Sequence, residues 1–253
     1  ASGSIPYSLQ RPAEDDVWAT APGAKQTRSF GDKGYELDIT ELNAAFEAQR
    51  FRFDYLIFDD CFMANIETLY DLRSTVGYVV ASPCEIMGDG FPYDRIIPHL
   101  FEETAVSERL AKTCREFWNL YENEYQNTIW KEQSGCISLA VLSELDGLAG
   151  VMRRINEKEK QPFELSELQY YKGGSTPLFY DLGHYVGLSC GDPALVDEFT
   201  AQLDRAFPAD SRLHTARFYS AYGQGNHAVH HYSGVSVSEP SPRYAAENRL
   251  TNW

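Results

Sequence analysis

Two short continuous apolar runs, Tyr55-Leu56-Ile57-Phe58 and Tyr78 to Ser82, bracket a segment with helical patterning from Met63 to Arg73. Apolar runs of this length without polar alternation fit strands buried on both faces. Strand, helix and strand in so short a stretch make a βαβ unit, which predicts parallel strands and a right-handed crossover. Sheets of this kind bind ligands beyond the C-terminal ends of their strands. Asp59-Asp60-Cys61 stands at one such end and Pro83–Asp94 at the next, so the two segments should be neighbours.

The rest of the chain supplies material for layers around that sheet. Residues 1–36 read as loop, punctuated by Gly and Pro. Asp38 to Arg50 reads as a helix, with Leu42, Ala45 and Phe46 on one face and Thr40 able to cap it. Ser107 to Gln126, Ser143 to Glu157, Pro177 to Leu188 and Pro193 to Phe207 read as helices. Cys136 to Val141, Arg217 to Ser220 and Tyr232 to Ser238 read as strands, the last after the turn Gly223–Asn226. No linker or internal repeat divides the sequence, so residues 1–253 are expected to form one domain.

Composition narrows the partners. The chain carries 37 acids against 22 bases, a net charge of −15. Such a field repels nucleic acid and anionic membranes and favours cationic partners, a basic polypeptide among them. No apolar run is long enough to span a membrane. The five cysteines, at 61, 84, 114, 136 and 190, are widely spaced and lack any CxxC pair, which is neither a zinc ribbon nor a disulfide framework. There is no Walker or dinucleotide glycine motif, no Gly-x-Ser-x-Gly elbow and no EF-hand spacing. Cys114 and Cys136 read as core, Cys190 as a helix-end residue, and Cys84 as a loop residue able to approach Cys61.

Cys61 is the candidate nucleophile. A helix start just after it would favour a thiolate and a nearby oxyanion, while Asp59 and Asp60 would oppose thiol ionisation. A buried strand-end cysteine with helix-capping acids is the alternative that local chemistry leaves open.

The segment FDYLIFDDCFMANIETLYDLRSTVGYVVASPCEIMGDGFPYD resembles the central part of clostripain-like cysteine peptidases, family C11 of the caspase-like clan. The resemblance rests on a buried strand followed by Asp59, Cys61, Phe62, Met63 and Glu67, then on Ala81, Ser82, Glu85, Gly88, Gly90 and Tyr93 after the second strand. Weaker likeness runs from TRSFG at 27–31 through FYDLGHYVG at 179–187 to HYSGVSV at 231–237. It implies an α/β, caspase-like three-layer sandwich, with a mainly parallel central sheet and helices on both faces. It implies hydrolysis of peptide bonds, commonly after a basic residue, with Cys61 as nucleophile and Asp59 lining the pocket for Arg or Lys. Asp89 is a second pocket candidate, or else an exposed acid in the turn Gly88-Asp89-Gly90. No cofactor is required, although some relatives depend on calcium. A bacterial protein that is secreted or held at the cell surface is expected.

In the family the general base is a histidine in a His-Gly-x-Gly motif at the preceding strand end. Ala1-Ser2-Gly3-Ser4 matches the residues just after that histidine, which puts the base immediately before Ala1 and the backbones of Ala1 and Cys61 in the oxyanion hole. His99, His184, His214, His227, His230 and His231 lack that context and read as structural or surface residues, His99 near a helix start. The N-terminal strands and helices of the domain, or a light chain of the same protein, would then be a partner of this chain. The other reading is a catalytically inactive relative with a binding or structural role.

Overall fold

The computed structural model describes residues 29–30, 37–125, 134–172, 176–220, 225–249 and 251–253. Its strands are β1 (Ser29–Phe30), β2 (Leu37–Asp38), β3 (Phe53–Ile57), β4 (Val76–Ala81), β5 (Ser138–Val141), β6 (Tyr170–Lys172), β7 (Phe179–Asp181), β8 (Arg217–Ser220), β9 (Gly225–Ala228) and β10 (Ser236–Ser238). Its helices are α1 (Ile39–Ala48), α2 (Ile66–Leu72), α3 (Tyr93–Leu100), α4 (Val106–Asn119), α5 (Leu145–Asn156), α6 (Leu182–Ser189), α7 (Pro193–Ala206) and α8 (Ala245–Asn248).

The predicted βαβ unit is present: β3 and β4 are parallel, with Phe53 opposite Val76 and Ile57 opposite Val80. β5 joins the far side of β4 antiparallel, so the described sheet β3-β4-β5 contains one parallel and one antiparallel pair. Alternate residues of β4 enter different layers. Val79 and Ala81 pack with Leu69 and Leu72 of α2, Leu148 of α5 and Leu203 of α7. Val80 packs on the opposite side with Ile96 of α3 and Leu110, Cys114 and Phe117 of α4. The period-two alternation of a strand places these neighbours on opposite faces. Gly77 allows a close approach between the strands, because a Cβ there would lie 2.7 Å from the Asp54 carbonyl oxygen.

A second sheet, β10-β7-β6, is wholly antiparallel. It corrects the expected helix over 177–188: Phe179–Asp181 is a buried strand, and the helix begins only at Leu182. Pairing with β10, more than fifty residues downstream, overrides the helical pattern of this segment. Asp181 ends the strand and caps α6, accepting a 2.8 Å bond from the His184 N–H. β8 and β9 form a separate antiparallel hairpin.

Helix α3 was not anticipated from sequence. It starts at Pro92 without a side-chain cap, contains Pro98 and buries Ile96 alone. His99 lies in its last turn rather than near a helix start, bonded to Glu102 at 2.6 Å. Cys114 and Cys136 are buried as expected, and Cys190 is the C-cap of α6.

Candidate active site

Chain direction changes sharply after β3. Phe58 still donates to Val80 O, at 2.9 Å, but Phe62 has a φ of +63°, a conformation costly for a residue with a Cβ. The turn is held from both sides. The Phe62 N–H donates to Cys84 O at 3.0 Å, and its ring stacks on Phe179 with centroids 5.1 Å apart. Ala64 N then donates to Ser82 O at 2.9 Å. The strand-end loops of β3 and β4 are therefore neighbours, as the βαβ reading required.

The turn points the Cys61 thiol at the β4 loop. Its sulfur accepts a 3.3 Å bond from the Ile86 N–H. Burial pushes the thiol up to about 12; the Ile86 bond opposes that rise, while Glu85, Cys84 and Asp60 add to it. Among the described residues the Cys61 N–H donates to no acceptor. The expected helix start beside Cys61 is corrected here. α2 begins at Ile66, and its first free N–H groups, those of Glu67 and Thr68, are taken by Asn65 Oδ1 at 3.1 and 3.4 Å. The helix dipole is thus capped by an amide and is not offered to the thiol.

The flanking acids differ in their surroundings. Asp59 accepts from the Tyr93 hydroxyl at 2.8 Å. It also lies against Gly90, where φ is +64° and an added Cβ would stand 2.6 Å from Asp59 Oδ2. Asp60 is pushed up to about 6, first by burial and then by the charge of Asp59. Asp89 is exposed in the turn closed by Gly90 N to Met87 O, 2.9 Å. Tyr121 connects these groups: its hydroxyl donates to Gly90 O at 2.7 Å, and its own ionisation is pushed up by burial, then by Tyr125, Asp89 and Asp59. Asp59 and Asp89 thus share one neighbourhood beside the Cys61 turn. Ala1, the other backbone assigned to the oxyanion hole, lies outside the described residues.

Behind the turn, Glu85 accepts from Ser220 Oγ at 2.7 Å, and Cys84 is fully buried, its N–H donating to Ser82 Oγ at 3.2 Å. Among the described residues Cys61 bonds to no histidine. His184 stacks on His231 with centroids 3.6 Å apart and accepts from Gln169 N at 3.0 Å. Burial, then His231, holds His184 below the usual imidazole range. His214 bonds to Thr215 O and His227 to the Tyr170 hydroxyl. No group of three or more His, Cys, Asp or Glu able to hold a metal occurs among the described residues, and no helix there is long and apolar enough to cross a membrane. Sequence reasoning did not assign the Ile86 N–H and the Tyr93 hydroxyl, although Tyr93 belonged to the motif. The Ile86 contact is made by backbone, which leaves no side-chain signature.

A thiol at the C-terminal end of a parallel strand, reached by the loop of the next strand and bordered by carboxylates, is a layout suited to an α/β cysteine hydrolase. The chain belongs to the clostripain family of cysteine peptidases, whose sequence pattern matches residues 18–210. Solved relatives agree. A clostripain from Bacteroides thetaiotaomicron, in complex with the peptide inhibitor BTN-VLTK-AOMK, is 30% identical over 88% of this chain and 96% of its own, with a TM-score of 0.76. Iotapain, a secreted C11 cysteine protease from the same organism, is 30% identical over 100% of this chain and 68% of its own, with a TM-score of 0.80. An inactive zymogen C11 protease from Parabacteroides distasonis is 25% identical over 85% of this chain and 61% of its own, with a TM-score of 0.72. Among curated proteins no relative matches the sequence. Thiol acyl transfer in this family needs no cofactor.

Proposed function

We propose that this chain carries the thiol half of an endopeptidase that cleaves after Arg or Lys. The observation that carries the reading is the Cys61 turn, with its sulfur against the Ile86 N–H and Asp59 and Asp89 gathered around Gly90 and Tyr121. In the reaction the Cys61 sulfur attacks the scissile carbonyl carbon, and the thiol proton passes to a histidine base. The oxyanion is held by the N–H groups of Cys61 and Ala1. The histidine returns the proton to the leaving amine, and water then hydrolyses the acyl-enzyme. The base belongs to the strand end that would lead into Ala1, on an N-terminal part or light chain of the same protein.

Asp59 and Asp89 would hold the guanidinium or ammonium of the substrate, the forked carboxylate suiting Arg. The inhibitor bound to the Bacteroides clostripain, BTN-VLTK-AOMK, carries a lysine in its peptide and supports a basic preference. The domain is read as a single caspase-like, three-layer sandwich, its mainly parallel sheet completed by that N-terminal part. Secretion is proposed from iotapain.

A second reading, a catalytically inactive relative, draws on the burial of the thiol, which disfavours its ionised form. One peptide panel separates the two. Intact protein is expected to cleave fluorogenic peptides ending in Arg or Lys, and Cys61→Ala to abolish this. Asp59→Asn should lower kcat/KM on those peptides by about 30- to several-thousand-fold, and less on neutral ones. Cleavage that survives Cys61→Ala overturns the nucleophile. No cleavage by the intact protein favours the inactive reading.

A further inference from the structure

Among the described residues four large apolar side chains are exposed, and three of them stand on or at the end of one helix: Tyr93, Ile97 and Phe101, 48%, 47% and 82% accessible. Their spacing of four places them along one face of α3. Isolated exposed hydrophobics are ordinary, but a row of three along one short helix is not a scattering.

The row has a defined origin. Tyr93 donates its hydroxyl to Asp59, so the stripe begins at the carboxylate assigned to the basic side chain of a substrate. Eight residues of helix advance about 12 Å, the reach of about four residues of extended peptide. The charges beside the row match a cationic chain. Asp94 and Glu103 are exposed, whereas Arg95 of the same helix is consumed by a two-pronged pair with Glu124, at 2.8 and 2.6 Å.

We infer that the outer face of α3 is a docking strip for the substrate polypeptide, taking apolar side chains about four residues from the basic residue held at Asp59. The inference rests on the basic-pocket reading and extends it. A chain lying along α3 would bring Ile97 and Phe101 out of water together with its own apolar groups. Its basic residue would meet Asp59. The selected sequence is therefore a basic residue with an apolar one at a fixed distance, rather than a basic residue alone.

Binding measured in the Cys61→Ala background of the intact protein tests this without turnover. The probe is a fluorescein-labelled decapeptide with one Arg and, four residues to either side, Leu and Phe. Adding Ile97→Ser and Phe101→Ser should weaken its binding by about tenfold or more. A peptide with Ser in place of Leu and Phe should bind more weakly to the parent and respond little to those changes. Both positions are exposed, so an unchanged melting temperature is expected and certifies the fold. Equal affinity for the apolar peptide in parent and variant overturns the strip. An Arg→Ala peptide that binds undiminished, but still responds to the α3 changes, overturns the basic pocket and leaves the strip standing. If the parent sediments as a dimer, the variant as a monomer, and peptide affinity is the same, the row is a self-association face and the inference fails.

Discussion

The Cys61 sulfur is subject to opposed influences, and their balance is measurable. Ile86 N–H stabilises a thiolate, while burial and the nearby Glu85, Cys84 and Asp60 disfavour it and prevail. With the thiol pushed up to about 12, only a trace is ionised at neutral pH, and that trace grows about tenfold per pH unit. Iodoacetamide labelling of Cys61 in the 253-residue chain, followed by peptide mass mapping, should accelerate about tenfold per unit from pH 7 to 10 without levelling off. A plateau below pH 9 would show that a base already lowers the thiol in this chain. The sign reverses once a protonated histidine sits beside the sulfur, because an adjacent cation favours the thiolate. With the proposed histidine base against the sulfur, labelling should be fast at pH 7 and gain little at higher pH.

At the scale of elements, α2 shows what a local cap contributes. Asn65 bonds the N–H groups of Glu67 and Thr68, and its amide nitrogen lies 3.4 Å from Ser236 Oγ. Asn65→Ala removes the cap from a seven-residue helix beside the Cys61 turn, and should cost about 1–2 kcal/mol in urea unfolding. A change below about 0.3 kcal/mol would mean that packing alone holds the helix start. An Asn directly before an apolar-periodic run is a readable cap, and it could have moved the expected start from Met63 to Ile66. The paired strands β3 and β4 were legible because both are buried runs close in sequence. β7 was not: its three residues are extended because β10 and β6 pair with them, and no local pattern encodes a partner so far along the chain. α3 was missed because its row of exposed apolar residues defies inward periodicity and two prolines punctuate it. The place of the candidate site was visible as strand ends, but Ile86 acts through its backbone and the sequence could not show that contact.

The two main sheets meet at α2. Ser236 N donates to Ala64 O at 2.9 Å, and Ser238 N donates to the buried carboxylate of Glu67 at 3.0 Å. Val235 and Val237 join the same apolar cluster as Leu69, Leu72 and Val79. We expect the chain to unfold as one domain for this reason. Glu67→Ala strands the Ser238 N–H in the interior and should cost about 1.5–3 kcal/mol. Near-UV and far-UV circular dichroism should still fall together in urea. Two separated transitions would divide the sheets into independent units.

The bond between Asn65 and Ser236 spans 171 positions. A ribosome adding about 5–20 residues per second needs roughly 9 to 35 seconds to travel between them. For that interval the turn bearing Cys61 exists without the strand that backs it, its apolar surface open to whatever chaperone attends the growing chain. The reactive corner of the molecule is written early and finished late, so a nascent chain stalled before residue 236 should hold the nucleophile without the platform that aims it.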